Sequence, residues 1–373
     1  MSTRRQFLSQ ISAAAGVGLA MGTGLRGLIG SANAAGPWHM PDENAAHARS
    51  FVAFGAKPSI WWDWTAAAAQ NAVGLIAKTI AAHEPVTVLC RGSELGLARL
   101  KCGTTNTTFL EMPLDDIWVR DTGANFVVDG SGNLGAVGFN FNGWGNKQMH
   151  ANDATVASKM ALNAGATFMR SKLTGEGGGI EVDGHGTAIM TESSWINSNR
   201  NPGWTKSQVE AELKANLGLR KIIWLPGIKG MDITDAHVDF YARFVRPGVV
   251  IANLDNDPAS YDYAVTRRHL DILRSATDAD GRKLQVHTLP PPRTWRKTKF
   301  SQGNKDWAPG YVNFIAVKGA VIAPQFGDSA GDSYCRNLLA GLYPLRKIIQ
   351  LNIDPIAGGG GGIHCVTGNQ PLP

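Results

Sequence analysis

Short apolar runs alternate with helix-patterned stretches along nearly the whole chain, and this alternation limits the possible folds more than any other feature of the sequence. Strands separated by helices belong to an α/β architecture, since a sandwich would lack the helices and a bundle would lack the runs. Residues 86–89, 124–128, 188–190, 222–225, 249–252, 314–317 and 320–323 read as strands. Residues 204–217 read as a helix, with Thr205 as N-cap, Gln208 three positions on to complete a capping box, and Gly218 past the end. Residues 263–276 read as a second helix. Gly and Pro punctuate the elements without a long low-complexity linker, except at 358–362, so one domain is expected over residues 35–373. With 43% apolar and 18% charged residues, the composition is that of a chain that buries a core, neither disordered nor membrane-spanning.

The first 34 residues read as an address. Arg4-Arg5-Gln6-Phe7-Leu8 has the form of a twin-arginine export signal, the small apolar run 11–21 follows, and Ala32-Asn33-Ala34 is an A-x-A cleavage pattern. The expected partner is the twin-arginine translocation machinery, and the expected location is the periplasm or the exterior. Removing Arg4, Arg5 and Arg26, with no acid among them, lowers the formal charge from +6 by three, to +3. Much of the basicity therefore belongs to the address. No dense basic stripe with interleaved aromatics appears, and the cluster 293–299 reads as a solvated loop, so no nucleic-acid partner is expected. Cys90 and Cys102 are candidates for a disulfide in an oxidising compartment, and spacing does not decide whether they meet.

The chemistry points to four places. Gly358–Gly362 runs into Ile363-His364-Cys365, a loop whose backbone can approach a ligand closely and present a thiol at a strand start. In Thr234-Asp235-Ala236-His237-Val238-Asp239, a strand would put His237 and Asp239 on one face. Asp121, in Trp118-Val119-Arg120-Asp121-Thr122-Gly123, and Glu176, before a second glycine cluster, would add carboxylates to an anionic pocket suited to a planar cation. Taken singly, each also reads as an ordinary turn acid or structural histidine.

These segments resemble the agmatine deiminase and bacterial peptidylarginine deiminase group of guanidino-group-modifying enzymes. The resemblance runs in order through Trp118-Val-Arg-Asp121-Thr-Gly, Phe141-Asn-Gly-Trp144-Gly, Glu176-Gly-Gly, Asn199-Arg-Asn-Pro202, His237-Val-Asp239, Arg246-Pro-Gly248, Tyr311-Val-Asn-Phe314, Pro324-Gln-Phe-Gly327 and Gly359-Gly-Gly-Gly-Ile-His-Cys365. It implies the pentein fold, a five-bladed α/β propeller of pseudo-fivefold ββαβ modules around a central site. It also implies Cys365 as nucleophile, His237 as general acid and base, Asp121 and Asp239 as the carboxylates gripping the guanidinium, Glu176 orienting His237, and Trp118 as a pocket wall. The implied reaction converts a guanidine to a urea and ammonia through a cysteine thiouronium, with no metal and no cofactor.

The implied substrate is agmatine, with free or peptidyl arginine as the alternative. The sequence departs from the commonest text at Ala124 (usually proline), Ala236 (usually glycine) and Gly362 (usually asparagine). Amidino transfer would use similar residues. A non-catalytic pentein would have no need of Cys365, His237 and Asp239 together. A metallohydrolase built on His185, His237, Asp239 and His364 lacks a supporting ligand spacing.

Overall fold

The computed structural model describes residues 37–373, which fall in one compact unit; the export signal and its cleavage site lie outside the described residues. Five small sheets form five blades of a propeller. In the second blade, β4 (Asn125–Val128) runs antiparallel to β5 (Leu134–Gly138), which lies parallel to β6 (Thr167–Arg170). The same ββαβ pattern recurs in β7 (Glu181–Val182), β8 (Thr187–Thr191) and β9 (Lys221–Leu225), and in β10 (Ala242–Arg246), β11 (Val249–Asn253) and β12 (Gln285–Leu289). It recurs again in β13 (Ile315–Val317), β14 (Ala320–Gln325) and β15 (Lys347–Asn352). A helix makes each parallel crossover: Val156–Ala164, Lys206–Leu217, Asp262–Ser275 and Ser329–Leu342 respectively.

The first blade closes the ring. β1 (His47–Phe54), β2 (Val86–Cys90) and β3 (Thr107–Glu111) are parallel, and the antiparallel partner of β1 is the C-terminal strand β16 (Thr367–Pro371). Four blades join their antiparallel strands by hairpins, and every one of these holds left-handed glycine: Gly130 and Gly132, Gly184 and Gly186, Gly248, and Gly319. Gly248, after Pro247, has φ of 80°, and Gly319 has φ of 72°, angles that side chains with a Cβ rarely adopt. The blade without a hairpin uses the two chain ends instead. Apolar packing seals the join: Val52, Phe54, Ile76 and Ile80 of the first blade share a core with Ile315, Val321, Ile322 and Leu339 of the fifth. Each such side chain contributes roughly 1.5–3 kcal/mol when fully buried.

All seven expected strands are present, with boundaries moved by one or two residues. The helix Lys206–Leu217 carries the full capping box of Thr205 and Gln208, with Gly218 left-handed at its end, and the second helix is Asp262–Ser275. Cys90 and Cys102 are free thiols buried in the same apolar cluster. Burial pushes them up to about 11 and about 12, so both are inert as nucleophiles near neutrality. Among the described residues no helix is long and apolar enough to cross a membrane.

Candidate active site

Each connection between blades delivers side chains to one central cavity of about 660 Å³ or to the groups at its inner end. Asp121 rides on the single turn Val119–Thr122 between β3 and β4. Glu176 stands just before the turn Gly177–Gly179 between β6 and β7. His237 and Asp239 come from the link between β9 and β10, Asn313 precedes β13, and Cys365 precedes β16. The glycine of Glu176-Gly-Gly is a matter of space: a Cβ on Gly178 would lie 2.6 Å from His237 Nδ1 and 2.7 Å from Asp121 Oδ1.

His237 and Asp239 are not on a strand. His237 caps a 3-10 turn, Val238–Phe240, so pleat alternation does not explain why they converge. Two consecutive left-handed residues aim the turn, Asp235 at φ 61° and Ala236 at φ 71°, the second at the position where glycine was expected. Such strain persists only where surroundings over-determine it. Asp235 Oδ2 accepts from Lys147, Asn199 and Arg200, Asp232 accepts from the Ala236 amide at 3.0 Å, and Thr191 Oγ1 donates to the Ala236 carbonyl at 2.6 Å.

His237 is held between two carboxylates, with Nε2 3.1 Å from Glu176 Oε2 and Nδ1 3.5 Å from Asp121 Oδ1. Burial alone would depress its pKa, but Asp121, Glu176 and Asp239 lift it to about 9. Burial, reinforced by the charges of Asp239 and Glu176, raises Asp121 to about 6 against the pull of His237. Glu176 is itself gripped by Arg200 Nε at 2.8 and 2.9 Å, and Arg200 and His237 keep its carboxyl below the usual range despite burial.

Cys365 Sγ lies 3.5 Å from Asp239 Oδ2 and 3.3 Å from Asn313 Nδ2. Burial, then the charges of Asp239 and Asp121, push the thiol well above its ordinary value, so the resting Cys365 side chain is a neutral thiol. Asp239 is fully buried. Its Oδ2 is 2.8 Å from His364 Nδ1, while its Oδ1 has no hydrogen-bond partner. His364 continues to Glu43 at 3.0 Å, and Glu43 also receives Arg120 and Arg243.

The structure thus brings Cys365, His237, Asp239, Glu176 and Asp121 together, with Trp118 on the cavity wall. Arg200 and Arg243 point inward but are spent on carboxylates, Arg243 on Glu181 and Glu43 at 2.8 and 2.7 Å. His185 sits in the β7–β8 turn and is not among the lining residues, so the metallohydrolase alternative lacks one of its four ligands. Four contributors escaped the residue-by-residue reading. Asn313 and Trp144, whose Nε1 donates to Asp121 Oδ2 at 2.9 Å, stood inside motifs without an assigned role. His364 stands in the sequence reading only as a metal-ligand alternative. Glu43, in a polar N-terminal stretch, carries no local signal at all.

Comparison with known proteins finds relatives over nearly the whole described chain. The sequence profile of the family described as Porphyromonas-type peptidyl-arginine deiminase matches residues 39–371. Agmatine deiminase of Pseudomonas fluorescens SBW25 is 36% identical over 355 residues, covering 90% of this chain and 96% of the relative. That of Stutzerimonas stutzeri A1501 is 37% identical over the same length and shares. The solved agmatine deiminase of Enterococcus faecalis superposes with a TM-score of 0.82 at 29% identity, over 90% of this chain and 96% of that one. With four ββαβ blades, a first blade completed by β16, and a cysteine, a histidine and carboxylates at their centre, this chain belongs to the Porphyromonas-type peptidyl-arginine deiminase family.

Proposed function

We propose that the protein hydrolyses agmatine to N-carbamoylputrescine and ammonia, with Cys365 as nucleophile. The observation that carries this reading is Asp239 Oδ1, a buried carboxylate oxygen without a donor beside the only cysteine in the cavity lining among the described residues. Leaving such an atom unpaired costs on the order of 1–3 kcal/mol or more. A planar guanidinium supplies the missing N–H groups, can engage Asp121 as well, and can lie against the Trp118 indole.

The bound cation also serves the chemistry. A positive charge beside Sγ offsets the two carboxylates that hold the thiol neutral, and the thiol proton leaves to water. The thiolate adds to the guanidinium carbon. Imidazolium His237 then gives its proton to one amino group, the C–N bond breaks with its electrons on nitrogen, and ammonia departs from a thiouronium. Neutral His237 takes a proton from water, the hydroxide adds to the same carbon, the C–S bond breaks to return the thiolate, and the urea carbonyl forms as its hydroxyl proton leaves.

The cavity wall also carries Asp232, Asp255, Asp257 and Asp262, and Arg293 is the one Lys or Arg among the described lining residues. That wall suits the amine of agmatine better than the α-carboxylate of free arginine, and neither Arg200 nor Arg243 is free to clamp a carboxylate. The curated relatives named agmatine deiminases support the same reading. The test is kcat/KM for agmatine, free arginine and a peptide ending in arginine. Agmatine is expected to lead by about 100-fold or more, the equivalent of roughly 3 kcal/mol. A lead for either arginine compound would overturn the substrate assignment while leaving the deiminase chemistry standing.

Activity should fall at alkaline pH as His237 loses the proton it must donate, with a limb near its pKa of about 9. Glu176→Gln removes a charge that favours the imidazolium, so the limb should move down by about one pH unit or more. An unmoved limb in the pH profile of kcat/KM would remove His237 from the acid role.

Residues 1–34 complete the reading as a twin-arginine signal, supported by Arg4-Arg5 and Ala32-Asn33-Ala34. The mature periplasmic or secreted enzyme should then begin at Ala35. Terminal sequencing that finds Met1 or Ser2 on cytoplasmic protein would contradict export.

A further inference from the structure

The cavity wall beside the cysteine is anchored by a carboxylate that takes no part in the chemistry described above. Asp116 is buried and accepts four hydrogen bonds, all from N–H groups. Its Oδ1 takes Trp61 Nε1 at 2.6 Å and the Ile117 amide at 2.9 Å. Its Oδ2 takes Trp118 Nε1 at 3.1 Å and Gln148 Nε2 at 2.8 Å. Lys57 pairs with the neighbouring Asp115 instead. A buried carboxylate is costly unless its lone pairs are filled, and here uncharged donors fill them. Burial raises the Asp116 pKa while those donors oppose the rise, and four donors with no acceptor require the ionised form.

What these donors hold is the seat of the catalytic loop. The Trp61 and Trp118 rings stack with centroids 5.8 Å apart and back directly onto the glycine run. A Cβ on Gly359 would lie 2.1 Å from the Trp61 ring, and one on Gly361 would lie 2.2 Å from the Trp118 ring. Cys365 follows four residues later, and Trp118, Gln148, Gly359, Gly361 and Cys365 all line the cavity. An ionised Asp116 also fixes the amide of Gln148: its NH₂ must face the carboxylate, which leaves Oε1 as an acceptor on a cavity-lining side chain.

We propose that Asp116 is a positioning residue, which orients the Trp118 ring and the Gln148 amide as substrate-facing walls and, through the paired indoles, seats the glycine run that presents Cys365. This inference rests on the agmatine reading for its substrate and on side-chain geometry alone for the wall.

Asp116→Asn tests it, because whichever way the new amide turns, its NH₂ meets N–H groups in place of an acceptor. KM for agmatine is expected to rise about tenfold, with kcat per titrated active site changed by less than about threefold. Alkylation of Cys365 by iodoacetamide should quicken by about threefold or more as the loop loosens. Trp118→Phe removes one donor from the other side, and the double variant should raise KM no further than the larger single change. A lower melting temperature with KM and alkylation rate both unchanged would reduce Asp116 to a structural acceptor, and additive effects would uncouple it from Trp118. If Asp116→Asn does not fold, unchanged KM and alkylation in Trp118→Phe would overturn the proposal equally. Turnover of agmatine by the wild type checks the functional reading, whereas alkylation needs no substrate and tests the wall by itself.

Discussion

Cys365→Ala is expected to cut ammonia release from agmatine by about 10⁴-fold or more, since removal of a covalent nucleophile eliminates the pathway rather than slowing a step of it. Nothing nearby can replace the sulfur. In the proposed mechanism Asp239 and Asp121 hold the cation, and the other three cysteines are buried in an apolar cluster. The fold should survive, because alanine keeps the β-carbon in the apolar cluster and the side-chain partners lost with Sγ are a 3.3 Å contact from Asn313 and a 3.5 Å contact to Asp239. Its backbone is held independently by Asn313 Oδ1 and by the bond from the Arg120 amide to the Cys365 carbonyl. Thermal unfolding should therefore stay within a few degrees of wild type. Ammonia release near the wild-type rate from the alanine protein would sink the mechanism, and a collapsed circular dichroism spectrum would show the cysteine to be structural.

Arg243→Met should cost about 3–5 kcal/mol of stability, the penalty for breaking a buried ion network from one side. The Arg243 side chain is 1% exposed. It donates to Glu181 on β7, to Glu43 near the start of the described chain and to the carbonyl of Phe314, and its guanidinium lies 4.9 Å over the Phe314 ring. It thus ties three blades and the N-terminal segment together at the propeller centre. Its charge helps to hold Glu43 well below the usual carboxylate range against burial. Methionine fills comparable space but leaves Glu181 without its cation and Glu43 with Arg120 and His364 alone. The denaturant midpoint should fall with an unchanged slope, and adding Glu181→Gln should recover part of the loss. A loss under about 1 kcal/mol would show that water or protonation satisfies the pair.

Much of this molecule is legible residue by residue. The capping box at Thr205 and Gln208, the glycine after Leu217 and the short apolar runs act over a few residues, and the structure reproduces them with small boundary shifts. Local pattern misled where backbone strain governs. Nothing in the side chains of 234–239 announces left-handed angles at Asp235 and Ala236, so local pattern reads His237-Val238-Asp239 as extended, whereas a 3-10 turn carries both side chains. Glu43 was invisible for a different reason: its importance lies in Arg120, Arg243 and His364, which are distant in the chain.

The sequence by itself determined the α/β class, seven of the sixteen strands described, two crossover helices with the capping box of one, and the candidate thiol, imidazole and acids. Periodicity, capping and hydrogen-bonding capacity are written within a turn or a strand of each residue. Only the tertiary structure decided that β16 would pair with β1 to close the ring, that Asn313 would join the thiol, and that Arg200 and Arg243 would be consumed by buried carboxylates. Those outcomes depend on which charges end up facing one another out of water, and desolvation and charge compensation act between groups that meet only after the blades have packed.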